Sequence, residues 1–411
     1  VTVFRLGLFG LGGKTYLVPL FVYIPVAVFF LVFFWGHRLY TPVRSMWLDK
    51  MCIHQTRDDL KEKGVKALPE IVVQSDRMII LWDTQYFERL WCCAEVAIFT
   101  AVHGGAKCVD FTPLWIAPWV LSNMMIGLLS ISISERFFHL IGSIGAFLGQ
   151  YDFIPSDVLP LLAQLGGIGA GFFCGSLLAL PPSYYALRSK IEHHRQMLKQ
   201  FQHFRLQDTK CKVESDRAQV EDLVEKLYRD AADPIEAFNR FVRSDLSCHV
   251  EKNVGHVTKI RYRLSLLIFL PLAFSSMANI LGCDGIQCEL AAHEELGPVA
   301  KPPQQMLANC FSWGIGVFAV YPSTYPVMLK LMVACERRAA KGRPWRLACL
   351  QVLAILAAYA YMGFTEGVLA GLLNSTSYRL WNSSASTSVP WCIALTIFLL
   401  LLGKWNWYLY H

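Results

Sequence analysis

Apolar and polar positions follow each other along this chain in long blocks, not in the short periods of an amphipathic soluble fold. Predominantly apolar runs of about 20 residues, the length that crosses ~30 Å of hydrocarbon, fall at residues 16–35, 114–133, 158–180, 264–281, 306–333, 347–373 and 390–409. They predict about seven transmembrane helices. The first run is too long for the apolar part of a signal peptide, and no small-residue cleavage site follows it. Residues 137–148 are apolar but short, which fits an interfacial or re-entrant piece better than a span. Residue 1 is Val, so the native N-terminus is expected upstream.

Two polar stretches interrupt these blocks. In the first, β-type runs at Ser45-Met46-Trp47-Leu48-Asp49, at residues 77–82 and at residues 108–112 alternate with helical segments, the second of them starting near Trp91. That alternation predicts βαβ units and a parallel sheet. In the second, Val220, Leu223, Val224 and Leu227 recur at helical spacing. Asp233-Pro234 reads as an N-cap followed by proline at the first helical position, with Phe238, Phe241 and Val242 along one side. Residues 185–204 extend the third span into water, and the whole insert reads as a helical hairpin or small bundle. The predicted fold class is therefore mainly α, a polytopic α-helical membrane protein with a small inserted α/β parallel-sheet module. Its predicted domains are a tail and first span (1–37), the module (38–112), spans two and three (113–182), the helical insert (183–263) and spans four to seven (264–411).

Composition agrees: 54% of the 411 residues are hydrophobic and only 17% are charged, where soluble chains carry about 25% charged residues. The net charge of +7 is not a nucleic-acid signature. No zinc-finger spacing, RNA-binding aromatic pattern or long basic run accompanies it. Instead the Lys and Arg residues alternate by loop. Residues 36–112, 183–263 and 334–346 hold 10, 16 and 5 of them, while 1–15, 135–157, 283–305 and 374–388 hold 2, 1, 1 and 1. By the positive-inside rule the rich segments face the cytosol. The module, the insert and the C-terminus are then cytosolic, and the N-terminus is outside or lumenal. The glycosylation acceptors Asn374 and Asn382 fall on the outer side. So do Cys283 and Cys288, the one local pair among 13 scattered cysteines, placed where a disulfide persists. No Cys-x-x-Cys occurs, and a lone Cys52-x-His54 is a poor metal signal, so no metal is expected.

Two chemistries stand out in the module. Trp47-Leu48-Asp49-Lys50-Met51-Cys52-Ile53-His54-Gln55, Ser75, and then Tyr86-Phe87-Glu88-Arg89-Leu90-Trp91-Cys92-Cys93-Ala94-Glu95 resemble the Toll/interleukin-receptor-like superfamily over residues 43–112. The first half is similar to fungal heterokaryon-incompatibility domains and the second to plant resistance-type members. The combination with membrane spans is similar to that of multi-pass protist membrane proteins. The resemblance implies a signalling module that meets cytosolic protein partners. In enzymatic members of that superfamily, a glutamate at the position of Glu95 helps cleave the nicotinamide–ribose bond of NAD. A carboxylate suits such an oxocarbenium-like centre. No cofactor is expected, and NAD enters only as the substrate of that alternative.

The family's first strand and its following loop, which form much of the nucleotide cleft, have no counterpart here, because a membrane span precedes Ser45. Glu95 also fits a plain structural role near a helix N-terminus. Asp49 and Trp91 are candidate binding residues, with turn capping and core packing as their structural alternatives. Trp47 is read as packing, and Cys92-Cys93 as buried thiols without a nearby base.

In the spans, Gly167, Gly171 and Gly175, and again Gly363, Gly367 and Gly371, place glycine at every fourth position. Such ridges allow close helix packing, with homo-oligomerisation as the alternative. Glu366 is the intramembrane polar residue. It is read as snorkelling to the outer interface, or, if the protein is a transporter or channel, as lining the path. The leading expectation is an integral membrane signalling or adaptor protein. Its partners are the lipid bilayer and cytosolic proteins that contact the module and the insert.

Overall fold

The computed structural model of the chain describes residues 24–39, 45–48, 52–54, 56–134, 144, 147–151, 158–211, 213–281, 303–339, 344–382 and 385–410. The elements run α1 (Ile24–Leu39), α2 (Asp58–Val73), β1 (Met78–Trp82), α3 (Leu90–Val102), β2 (Val109–Pro113), α4 (Ile116–Ser134) and α5 (Leu159–Gln202). They continue with α6 (Glu214–Leu227), α7 (Pro234–Phe241), α8 (Ser247–Val254), α9 (Tyr262–Leu281), α10 (Pro303–Ile315), α11 (Tyr321–Ala339), α12 (Pro344–Asn382) and α13 (Ala385–Tyr410). The fold is mainly helical with a small two-stranded parallel sheet. The chain divides into two compact units: an α/β unit of Tyr40–Trp119 with Ser189–Val257, and a helical unit made of the rest.

In the α/β unit, β1 and β2 pair in parallel from Met78↔Val109 to Trp82↔Pro113. Buried Ile80, Trp82, Val109 and Phe111 face inward, as the two-residue period of a strand requires. The β-type run expected at 45–49 is not a strand over 45–48, and Asp49 lies outside the described residues. Among the described residues the sheet is the β1–β2 pair alone. The polar insert supplies the packing that a wider sheet would give. Phe87 meets Phe201 edge to face at 4.9 Å and Phe204 at 5.8 Å, while Phe204 meets Phe238 at 5.7 Å. Trp82 Nε1 donates to Gln200 Oε1 (3.0 Å), and Leu90 N–H donates to the Lys210 carbonyl (3.2 Å). The two polar stretches, expected as separate domains, therefore share one core. Each fully buried large side chain in it contributes roughly 1.5–3 kcal/mol.

Local signals in the insert act as their residue types dictate. Asp233 caps α7 by accepting from the Glu236 N–H, and Pro234 occupies the first turn, where no donor is needed. Val220 and Val224 are the buried face of α6.

In the helical unit, among the described residues, three helical stretches are long and apolar enough to cross a membrane: Cys310–Ala339, Pro344–Ser377 and Ser388–Tyr410. A fourth is added if the two bent halves of α5 form one span. The bend falls just before Pro181 and Pro182, whose rings clash with the carbonyls one turn earlier. The remaining three predicted spans correspond to shorter apolar helices among the described residues, Ile24–Arg38, Ile116–Ser130 and Tyr262–Pro271. The three long stretches differ in depth. The Cys310–Ala339 window is 72% buried within the unit and the Ser388–Tyr410 window only 11%. The first is a central helix; the second presents Ile393, Ile397, Leu400 and Leu401 outward.

The glycine ridge of α12 lies against α5. A Cβ at Gly363 would meet Phe172 Cβ at 3.0 Å, one at Gly367 would meet Leu165 Cα at 2.9 Å, and one at Gly371 would meet Leu161 Cα at 3.0 Å. Gly167, Gly171 and Gly175 are buried in α5. Backbone approach this close is what glycine permits where van der Waals contact must hold helices together.

Candidate functional site

Glu95 is the sixth residue of α3 and half-buried. It therefore sits in the second turn, beyond the first turn in which the helix dipole favours a carboxylate. Buried Ala94 and Val96 flank it. The polar residues of the same motif are engaged inside the fold. Trp91 Nε1 donates to Asp216 Oδ2 (3.0 Å), which ties α3 to α6 and commits the ring as an anchor. The Cys93 thiol contacts the Phe87 carbonyl at 3.6 Å, and its burial pushes its pKa well above the ordinary thiol value, so it is held as a neutral thiol. Arg89 pairs with Asp83 (3.1 Å) and stands over the Tyr86 ring. His54 Nδ1 accepts from the Arg57 N–H (3.1 Å), a turn contact. Among the described residues no group of three His, Cys, Asp or Glu side chains is placed to hold a metal.

The sheet offers a different kind of site. Its outer face carries Ile79 and Leu81 on β1 in register with Asp110 and Thr112 on β2, with Arg77 just before β1. Ile79 and Leu81 are 53% and 51% exposed, although Ile80 and Trp82 beside them are 0% and 1% exposed. Arg77 pairs with Asp110 at 2.7 Å and edges the aliphatic pair with charge. An apolar centre with a polar rim is the anatomy of a protein-contact patch.

A third cluster escaped the sequence reading. Lys190 is buried, and its Nζ donates to the carbonyls of His256 (3.2 Å) and Val257. One turn along α5, His194 is fully buried, with the Trp115 ring at 6.2 Å. Burial lowers the Lys190 pKa from 10.5 to about 7, against the pull of the two carbonyls. Burial, then Lys190 and His256, lower that of His194 from 6.5 to about 3. The Lys190 bonds join the beginning of the 189–257 segment to its end. The spacing of a lysine and a histidine at i and i+4 was the sequence signal, but nothing in it told buried from exposed.

The fourth site is in the helical unit. Glu366 is only 7% exposed, so its carboxyl lies within the bundle and does not snorkel outward. The Ser312 hydroxyl donates to Oε1 at 3.2 Å, and Oε2 has no hydrogen-bond partner among the described residues. Gly316 makes room for the group: a Cβ there would lie 2.7 Å from Oε2. Gly316 also opens the π-helical segment Gly316–Val320, a geometry frequent at functional sites. Ser312 and Gly316 stand four residues apart, a signal visible in the sequence only once Glu366 is known to face them.

No protein-family model, curated protein or solved structure matches this chain. Its sites therefore rest on their own geometry.

Of the remaining sequence-predicted positions, Asn374 lies within α12, not in a loop. Its Nδ2 donates to the Ala370 carbonyl (2.9 Å), and Ser375 and Thr376 are each 5% exposed. A glycosylation acceptor belongs on an exposed loop, so this sequon is not presented as expected: the helix runs on to Asn382. The side chain of Asn382, Cys283 and Cys288 lie outside the described residues.

Proposed function

We propose that the chain is a multi-pass integral membrane protein of about seven spans that presents its α/β unit to the cytosol as a protein-docking module. The reading keeps the orientation given by the basic loops, with the α/β unit and the C-terminus cytosolic and the N-terminus outside. It also keeps the likeness of residues 43–112 to Toll/interleukin-receptor-like cores as a likeness of signalling role. The observation that carries it is the outer sheet face, where Ile79 and Leu81 stay half exposed beside the Arg77–Asp110 pair. The partner is a cytosolic protein segment that sets apolar side chains on this pair and meets the ion pair at its rim. Such a contact gains roughly 25 cal/mol per Å² of apolar surface covered, less the ordering of both partners.

The experiment is site-specific photo-crosslinking in intact cells from position 81, with position 226 on exposed α6 as control. A protein adduct is expected from position 81, absent from position 226, and lost when Ile79→Asp is added. Adducts to lipid alone, or identical adducts from both positions, would refute the docking role. NAD cleavage by Glu95 is the rival. Nicotinamide release by the purified protein that disappears in Glu95→Ala would replace the adaptor reading with an enzymatic one.

A further inference from the structure

We infer that Glu366 and Ser312 form a proton-binding site inside the helical unit, reached through a small pocket on the same face of α12 that holds a few hydroxyl groups. This goes beyond the docking role and stands on the bundle alone.

The carboxyl is more than nine-tenths buried, and Ser312 supplies its only hydrogen bond among the described residues. An unpartnered buried oxygen on an ionised carboxylate costs several kcal/mol. A ligand that neutralises it relieves that cost. Even a methyl group at Gly316 would lie 2.7 Å from Oε2, which leaves little room on that side for a hydrated metal ion. A proton needs none.

The approach is read from spacing. Glu366, Met362 and Tyr359 stand at i, i−4 and i−7 and so share one face of α12. Met362 and Tyr359 line a mainly apolar cavity of ≈ 20 Å³, walled by Phe172, Phe269 and Met328, with hydroxyls from Thr324, Tyr325 and Ser130. That volume suits a single water, which requires polar partners. The Thr324 hydroxyl, 1% exposed and without a hydrogen-bond partner among the described residues, is one such group. On the facing strand of helix, Ser312, Gly316 and Thr324 recur in steps of four and eight, so carboxyl and cavity lie along one seam. At 1.5 Å per residue, seven positions place Tyr359 about 10 Å from Glu366 along the axis. Tyr359 in turn shares a hydrogen bond with Ser183 at 3.0 Å.

The titratable groups on the packed elements are Cys310 on α10, Tyr321, Tyr325, Lys330, Cys335, Glu336, Arg337 and Arg338 on α11, Cys174 on the packed part of α5, and Cys392, Lys404, Tyr408 and Tyr410 on α13. On α12 itself, Tyr359 is paired with Ser183 and Tyr361 with Ser323. Lys330 stands over the Tyr408 ring at 4.0 Å. Among the described residues none forms an ion pair with Glu366. The bound proton is therefore held by the carboxyl and released to water through the pocket.

Infrared difference spectroscopy of the purified full chain in lipid tests this. A protonated-carboxyl band is expected that Glu366→Gln removes, that shifts in D₂O, and that disappears as pH rises through one midpoint. Ser312→Ala removes a hydrogen bond to the charged form and should move that midpoint upward. Thr324→Val should slow D₂O exchange of the band and leave the midpoint in place. A Glu366 band that never titrates over the pH range in which the protein stays folded would overturn the site. A band that titrates but exchanges equally fast in Thr324→Val would overturn the approach through the pocket. If Glu366→Gln fails to fold, the Ser312→Ala shift alone still decides the first point.

Discussion

The α/β unit buries a lysine, Lys190, and the helical unit a carboxyl, Glu366, and they treat these groups differently. Lys190 lies among soluble-type packing and meets two carbonyls at the end of its own segment. Glu366 lies in an apolar bundle and meets one hydroxyl, with its second oxygen unpartnered. The surfaces differ in the same sense. The bundle's peripheral helix α13 turns Leu400 and Leu401 outward at 69% and 62% exposure, while exposed positions on α6 carry ion pairs such as Lys226–Asp222. The difference teaches how to rank buried charge. Where both capacity and partners are matched, as at Lys190, the group is a fastening; where they are not, as at Glu366, it is a candidate for exchange with a ligand.

That contrast can be broken at its structural base first. Phe201→Ala removes a ring that touches both Phe87 and Phe111. It should destabilise the α/β unit by about 3–5 kcal/mol. Hydrogen exchange should show protection lost together over 78–113 and 189–257, and loss confined to the insert would mean that the two stretches do not share a core.

Next comes acid sensitivity. The His194 pKa is lowered in the folded state, so the neutral ring contributes stability above its unfolded value of 6.5, which is lost as pH falls toward about 3. By about pH 4 the loss should be roughly 3 kcal/mol. In His194→Phe the urea midpoint of the α/β unit should change much less over that interval. Lys190 works in the other window. Its lowered pKa means that stability rises as pH goes from about 7 to 10.5, so His194→Phe should leave that rise intact. An unchanged acid slope in the variant would place the titration elsewhere.

The smallest effect belongs to the helix seam. Gly367→Ala sets a methyl against the Leu165 backbone at 2.9 Å, and should cost about 1–3 kcal/mol through overpacking. The same change at Gly403, where nothing lies within 4 Å, should be nearly neutral. Equal loss at both positions in a thermal unfolding series in lipid would show that the α5–α12 contact is not what the glycines serve.

Much of the fold was legible in local pattern. The two strand segments, the Asp233 cap and the apolar face of α6 each depend on neighbours within a few residues, and the structure has all three. The β-type run at 45–48 shows the limit: a short apolar run favours a strand, but a strand exists only if a neighbour pairs with it. Asn374 shows another, since a sequon has no term for whether the helix before it ends.

By itself the sequence determined where apolar blocks stand, where the polar stretches interrupt them, and where glycine recurs every fourth residue. Those are properties of contiguous residues, written by burial and backbone sterics at short range. The tertiary structure alone decided that the two polar stretches build one core and that Ser312 meets Glu366 across 54 positions. It also decided that Lys190 meets Val257 across 67 positions. Contacts of that separation follow from how whole elements pack, and no local period encodes them.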